Sequence, residues 1–422
     1  MRNLKLTGLA GATALALGLQ AGAAAAQDCS VDVGVIYPTS IDWGMPIAET
    51  ALWVGEMITE AGGVDGCAVN MILRDDQNDA RVGVDAARAL VDLDRVQLLI
   101  GTVASGVTIP ILTSVAAPAG VMQMTCCSST TRLTEIAAAG ESRGLFFRTF
   151  ATANVQAVVA AMVAREQEVG RITILYKNDD WGQDIANQAA NAFAAMGIEV
   201  AAQIAINDEQ PSYRAEVTQA LRSQPEALYL ALYPTEGIAV VREWLGLGGT
   251  QRMIGANSLK SEDFRSSVGQ QFLAEFTGTD TSAPRVDSAA GFVEAFTAHF
   301  GRPPSGPGLP NSFDATAISL LAYHAAGRDA TGAEIAAAVP RVTDPEGEQI
   351  PATIEGFARA MEVLSEGGSV SYQGGTGAVG FDQYGDVSAP AVTWVFGEDG
   401  AITETTYISL EEVAALMAEV DG

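Results

Sequence analysis

From Val31 onward, short runs rich in β-branched residues alternate with longer segments whose apolar positions recur at helical spacing. VDVGVIY (31–37) reads as a strand, and Pro46–Ala61 as a helix stopped by Gly62-Gly63. AVNMIL (68–73) is the next strand, and Ala80–Leu93 a helix with Val84, Ala87, Leu90 and Val91 on one face. VQLLIG (96–101), Val107–Ala117 and VMQM (121–124) complete a first series. ITILY (172–176), Gly182–Met196, VAAQIAI (200–206), Ser212–Ser223, ALYLALY (227–233), Gly237–Leu245 and MIGA (253–256) make a second. Strands and helices alternating at these lengths predict parallel sheets covered on both faces. Two series, broken near Arg148–Asn154, predict an α/β protein of two doubly wound parallel-sheet lobes.

The later chain has another texture. Helices are predicted at Val286–Phe300, Asp314–Ala326 and Ile350–Leu364, with the Pro/Gly-rich RPPSGPGLP (302–310) between the first two. YQGGTGAVGFDQYGD (372–386) is glycine-rich, and AVTWVF (391–396) reads as a strand. No Gly-Lys-Ser/Thr follows those glycines, and Asp382–Asp386 lacks the other ligands of a calcium loop, so both read as turns.

The start of the chain is set apart by composition. Arg2 and Lys5 give a basic beginning, Leu6–Leu19 an apolar stretch, and Ala23–Ala26 the small residues that signal peptidases cut after. A secretory signal over 1–26 leaves 396 of the 422 residues, too many for one core and suited to two. Cys29 follows Gln27-Asp28 rather than the small residues a lipidated cysteine needs. No later stretch approaches the roughly 18 uninterrupted apolar residues of a membrane span, so a soluble, exported monomer is expected. Losing Arg2 and Lys5 takes the formal net charge from −28 to −30. That field repels nucleic acid and anionic membranes, so nucleic-acid binding is set aside and no membrane insertion is expected.

Export makes the four cysteines candidates for disulfides. Cys29 opens the first strand and Cys67 the second; neighbouring parallel strands would bring the two together. Closing that loop contributes about 3–4 kcal/mol in the chain-entropy model. Cys126 and Cys127 are left over, and two small buried thiols are preferred there because a bond between adjacent residues strains the peptide.

In open parallel sheets ligands bind beyond the carboxyl ends of the strands. The first series places YPTSIDWG (37–44), GTVASG (101–106) and TCCSSTTRLT (125–134) there; the second places KNDDWGQ (177–183), YPTEG (233–237) and NSLKSED (257–263). Hydroxyls and backbone amides dominate the first group, aromatics and carboxylates the second. One lobe therefore offers anion-binding groups and the other a lid.

The ordered set SIDWG, GGVDGCAVNMILRDDQND, IGTVASG, TCCSSTTRLT, LFFRTF, LYKNDDWGQ, LALYPTEG and GFDQYGDV resembles type I periplasmic binding proteins. Within them it is closest to the leucine/isoleucine/valine branch that feeds ABC transporters. The resemblance spans essentially all of the chain after the signal, and it rests on the order of the motifs, not on any one of them. It implies a three-strand hinge, with lobe 1 made of 27–148 and 284–375, lobe 2 of 149–283 and 382–422, and crossings near 148–151, 281–285 and 374–381. It implies a periplasmic protein that captures a small carboxylate-bearing ligand by lobe closure and hands it to an inner-membrane ABC permease, without a cofactor. A sensory module of the same fold is the alternative.

By matching positions, Ser105 offers its hydroxyl to the ligand carboxylate, Cys127 its backbone groups, and Ser129 its N–H and hydroxyl. Neutral donors near a helix N-terminus hold a carboxylate through the helix dipole and charge-assisted hydrogen bonds. The competing reading has Ser128, Ser129 and Thr130 capping a helix from Arg132. Trp43 matches a position lining the side-chain pocket, and Trp181 and Tyr233 match aromatics of the closing lobe. Asn257 stands where the family commonly places an acidic partner for the ligand's ammonium. An amide brings no charge to offset ammonium desolvation. Either Asp42, Glu236 or Glu262 substitutes, or the ligand has no ammonium.

An enzyme is disfavoured. His299 and His324 fall inside predicted helices, no Gly-x-Ser-x-Gly or His-Glu-x-x-His occurs, and no metal cluster is spelled out. The pairs Asp75-Asp76 and Asp179-Asp180 read as loop carboxylates facing water.

Overall fold

β1 (Ser30–Tyr37), β2 (Ala68–Asp75), β3 (Leu98–Gly101), β4 (Met122–Thr125) and β5 (Phe146–Arg148) make an all-parallel sheet in the order β2-β1-β3-β4-β5. β6 (Arg171–Lys177), β7 (Glu199–Ile206), β8 (Ala227–Ala231), β9 (Met253–Gly255) and β10 (Phe276–Thr281) make the parallel part of a second sheet. A small third sheet joins β11 (Glu348–Pro351), β12 (Val370–Gly374) and β13 (Gly377–Ala378). β14 (Ala391–Phe396) and β15 (Ile402–Ile408) then return antiparallel to the second sheet, whose order is β15-β14-β10-β9-β8-β6-β7. This computed structural model describes residues 29–421 except Glu209, Pro307, Glu398 and Asp399. The signal segment expected over 1–26 lies outside the described residues.

Both sheets are wound in the same way. Chain order reverses at β1/β3 in the first and at β6/β8 in the second, which opens a crevice at each set of strand C-termini. β3, β4 and β8 are buried along their whole length, as strands covered on both faces must be, β3 and β8 being nearly continuous apolar runs and β4 burying Gln123 and Thr125 as well. The first sheet's cores draw on residues 31–146 and 292–379, with Phe381 and Val387 packed against them. The second sheet's cores draw on 151–276 and 391–413, with Ala389 packed alongside. We place the chain's passages between lobes at 148–151, at 281–285 and between Val387 and Ala389. The last is later than the 374–381 expected from the sequence, because Val379, Phe381 and Val387 still bury their side chains against the first core.

Cys29 and Cys67 are joined, as neighbouring parallel strands allow, with the register pairing Ser30 with Ala68 just beyond them. Cys126 and Cys127 are also joined to each other, which corrects the expectation of two thiols. β4 ends at Thr125, so the alternation that sends neighbouring side chains to opposite faces no longer applies to this pair.

Other departures have local causes. The helix expected from Asp314 begins at Leu309: Gly308 takes φ +81°, and Pro310 sits in the first turn, where its missing N–H costs nothing. The helix expected over 350–364 starts as β11; Thr353 then caps Ile354–Ser365 by accepting from Gly356 N–H. The helix expected over Val107–Ala117 runs from Ser105 to Ile111 and widens at Leu112–Ala116, just after Pro110. In the glycine-rich stretch, a Cβ on Gly374 would fall 2.0 Å from Asp314 Oδ1. Glycine lets the turn close on this buried carboxylate, which accepts from Tyr372 Oη, Gly375 N, and Thr376 N and Oγ1 at 2.5–2.8 Å. No helix among the described residues is long and apolar enough to cross a membrane.

Candidate functional site

A cavity of about 440 Å³ lies between the two sets of strand ends, within the size range of small-molecule sites. Trp43, Ser105, Cys127, Ser129, Trp181, Tyr233 and Asn257 all line it. Four of them flank the two switch points: Trp43 follows β1, Ser105 follows β3, Trp181 follows β6 and Tyr233 follows β8. Cys127 and Ser129 follow β4, and Asn257 follows β9.

The row of hydroxyls after β4 is divided among four tasks. Ser128 turns inward, bonding to Thr108 Oγ1 at 2.6 Å and donating to Val103 O at 3.1 Å. Thr130 caps the helix Thr131–Ala138 by accepting from Arg132 N–H. Thr131 reaches the other lobe, donating its N–H and hydroxyl to Asp184 at 2.8 and 2.6 Å. Only Ser129 is both a member of the row and a wall of the cavity, and among the described residues its hydroxyl has no hydrogen-bond partner. Ser105 Oγ accepts from Thr130 N–H at 3.3 Å, which leaves its proton for a further acceptor. Both serines are almost fully buried, at 1 and 2 % exposure. The Cys127 N–H is turned to Thr125 Oγ1 at 3.3 Å. Gly308 lies directly against this loop; a Cβ there would come within 2.6 Å of Cys127 Sγ.

Arg148, which the sequence reading passed over, holds this loop from beneath. Its guanidinium is fully buried, paired with Asp386 at 2.6 Å, and donates to Thr134 Oγ1 at 2.8 Å. It also donates to the carbonyls of Ser128 and Thr130 at 3.0 and 2.8 Å, the residues on either side of Ser129. An arginine inside the largely apolar LFFRTF was the available signal, because a buried guanidinium needs a counter-ion and several acceptors.

Three rings pile across the cavity. Tyr233 stacks on Trp181 at 5.1 Å with planes 16° apart, and on Trp43 at 5.9 Å with planes 20° apart. Trp181 belongs to the second lobe's core and Trp43 packs against the first, so the pile bridges the lobes. Burial pushes the Tyr233 hydroxyl well above its ordinary range, and the nearby Asp179, Glu236 and Asp76 push the same way.

Asp76 and Asp179 are themselves shifted. Burial raises Asp179 to about 6, against the Gly182 N–H that its carboxylate accepts. Burial raises Asp76 to about 7, opposed by the Asn78 N–H and reinforced by Asp75. A carboxyl raised in the folded state above its ordinary 3.8 contributes stability that is complete below about pH 4 and lost as pH rises through about 7. Asp76→Asn keeps the oxygen facing Asn78 and removes the charge. Calorimetry should therefore find no gain in melting temperature over wild type at pH 4 and a gain of about 2–4 °C at pH 8.

Of the three carboxylates weighed as ammonium partners, Asp42 and Glu262 line the cavity but are exposed, and Glu262 is gripped by Arg265. Glu236 is buried, lies outside the lining and pairs with Lys177 at 3.6 Å. Lys260 and Arg302, two further lining residues the sequence reading missed, are paired with Asp280 and Glu49. Among the described residues no group of three or more His, Cys, Asp or Glu side chains is placed to hold a metal ion.

Residues 30–359 match the family profile described as "Periplasmic binding protein". The chain is 28% identical over 329 residues to the chemotactic signal transduction system substrate-binding protein BasB of Halobacterium salinarum, covering 77% of this chain and 75% of that one. It is 25% identical over 346 residues to the leucine-, isoleucine-, valine-, threonine-, and alanine-binding protein of Pseudomonas aeruginosa, covering 80% and 81%. In three dimensions it is similar to the leucine binding protein LivK of Thermotoga maritima, with a TM-score of 0.74 over 90% of this chain and 99% of that one. At 19% identity, that likeness shows a shared fold.

Proposed function

Because the chain belongs to the periplasmic binding protein family, and within it to the type I, branched-chain amino acid group, we propose that it captures a small carboxylate-bearing ligand in the periplasm and delivers it to an ABC importer. The observation that carries this reading is the pair of buried serine hydroxyls, Ser105 and Ser129, each able to donate into an interlobe cavity. Charge-assisted bonds from such donors are the stronger kind, and no buried cation is needed beside them.

The mechanism is capture followed by closure. In the open form the loops after β3 and β4 face solvent, and the carboxylate docks on the Ser105 and Ser129 hydroxyls, the Cys127 N–H being turned to Thr125 Oγ1. The lobe bearing Trp181, Tyr233 and Asn257 then swings over it, and the Thr131–Asp184 bonds form. A ligand shifts the open–closed balance only through contacts that differ between the two states. Asp184 is one such contact within the chain itself. Closure brings the outer faces of both lobes into the arrangement an importer reads.

The experiment is small-angle scattering with calorimetry across amino acids and small carboxylic acids. A ligand should compact the protein, and Asp184→Ala should weaken it about tenfold while leaving the ligand-free form more open. A ligand that binds without compaction would sink the closure mechanism. A second reading, delivery of the closed form to a membrane receptor, is favoured by the similarity to the chemotactic BasB. Stimulated ATP hydrolysis by an importer in membrane vesicles separates the two.

A further inference from the structure

We infer that the ligand is a carboxylate with an apolar body and no ammonium group: the cavity takes the deaminated acid in preference to the amino acid. This rests on the reading that the cavity is the ligand site.

The buried polar lining is uncharged. Ser105, Ser129 and Asn257 are each at least nine-tenths buried, and Asn257 is held in place through its N–H, donated to Gln156 Oε1 at 3.0 Å. Among the described lining residues the carboxylates are Asp42, Glu262 and Asp263, and all three are exposed. Two of them are also engaged: Glu262 by Arg265, and Asp263 by the Ser267 hydroxyl at 3.3 Å. The carboxylates near Tyr233 are outside the lining, although Glu236 keeps one buried oxygen, Oε2, without a hydrogen-bond partner among the described residues. Asp76 accepts from Asn78 N–H at 2.8 Å, Asp179 from Gly182 N–H at 2.7 Å, and Glu236 pairs with Lys177.

A zwitterion entering this cavity would find buried donors for its negative end and, for its positive end, no buried carboxylate in the lining, only exposed ones. Removing an ammonium from water without a paired carboxylate is strongly unfavourable. A simple carboxylate meets the same hydroxyls and carries no such cost. The remaining wall suits a hydrocarbon body, with Ile41, Trp43, Ile47, Val103, Phe150 and Leu309 facing the space.

The test is calorimetry on matched pairs that differ only in the ammonium: leucine against 4-methylpentanoate, and phenylalanine against 3-phenylpropanoate. At least one acid should bind, and at least about tenfold more tightly than its amino acid partner. Asn257→Asp, nearly identical in shape, supplies the missing charge and should narrow or reverse that ratio. An amino acid that binds wild type as tightly as its deaminated partner overturns the inference and leaves the site reading standing. A ratio unmoved by Asn257→Asp overturns the charge argument behind it. If no member of either pair binds, or binding is indifferent to Ser129→Ala, both the inference and the site reading fall.

Discussion

Asp386→Ala is expected to lower the unfolding free energy by about 3–5 kcal/mol, because it leaves the Arg148 guanidinium buried with its positive charge unpaired. Arg148 has no exposed side-chain surface, and Asp386 is its only ion-pair partner among the described residues. The remaining acceptors around Arg148 are the Ser128 and Thr130 carbonyls and the Thr134 hydroxyl, all neutral. They spread the charge but do not cancel it. Replacing both members, as in Arg148→Met with Asp386→Leu, should cost less than the single change, since no buried charge is then left alone. Urea unfolding at neutral pH measures both. A single-variant loss below about 1 kcal/mol would show that water reaches Arg148 and that the pair is not buried as described.

Ser105→Ala together with Ser129→Ala should abolish high-affinity binding of whichever matched acid binds best. A hydrogen bond to a charged group contributes about 1.5–3 kcal/mol, so losing two corresponds to a drop in affinity of about a hundredfold or more. The fold should survive: Ser129 has no internal partner to lose, and Ser105 gives up one long bond to Thr130 N–H. Calorimetry of the double variant beside the Asn257→Asp protein separates loss of the anion cradle from loss of charge matching. Unchanged affinity in a folded double variant would move the carboxylate elsewhere in the cavity.

The parallel core was legible in the sequence because its strands are continuous apolar runs and its helices have a clear buried face. β10 and β15 were not. FTGTDT and ITETTYI carry too few apolar positions, and β10 exists because Trp394 from a strand more than a hundred residues later fills the space over Gly278. The helix Gly332–Val342 was missed as well; its Thr331–Glu334 capping box was a local signal that alanine-rich surroundings obscured.

At the site, all seven residues placed by resemblance line one cavity, because loops at strand C-termini converge there whatever their details. What the sequence left open was the division of labour among adjacent hydroxyls. Ser128, Ser129, Thr130 and Thr131 are chemically alike and neighbours in sequence, and only the partners from residues 103, 108, 148 and 184 distinguish them. The joined Cys126–Cys127 pair was hidden for a similar reason, since the end of β4 decides which way each side chain turns.

The ring pile gives the molecule a built-in optical gauge. Of its five tryptophans, Trp53, Trp244 and Trp394 are held in the cores, where lobe movement leaves their surroundings alone. Trp181 and Tyr233 belong to one lobe and Trp43 to the other, so the proposed opening would part Trp43 from the pile and expose its indole to water. Under the proposed closure, native emission colour is expected to follow the angle between the halves, with no dye attached.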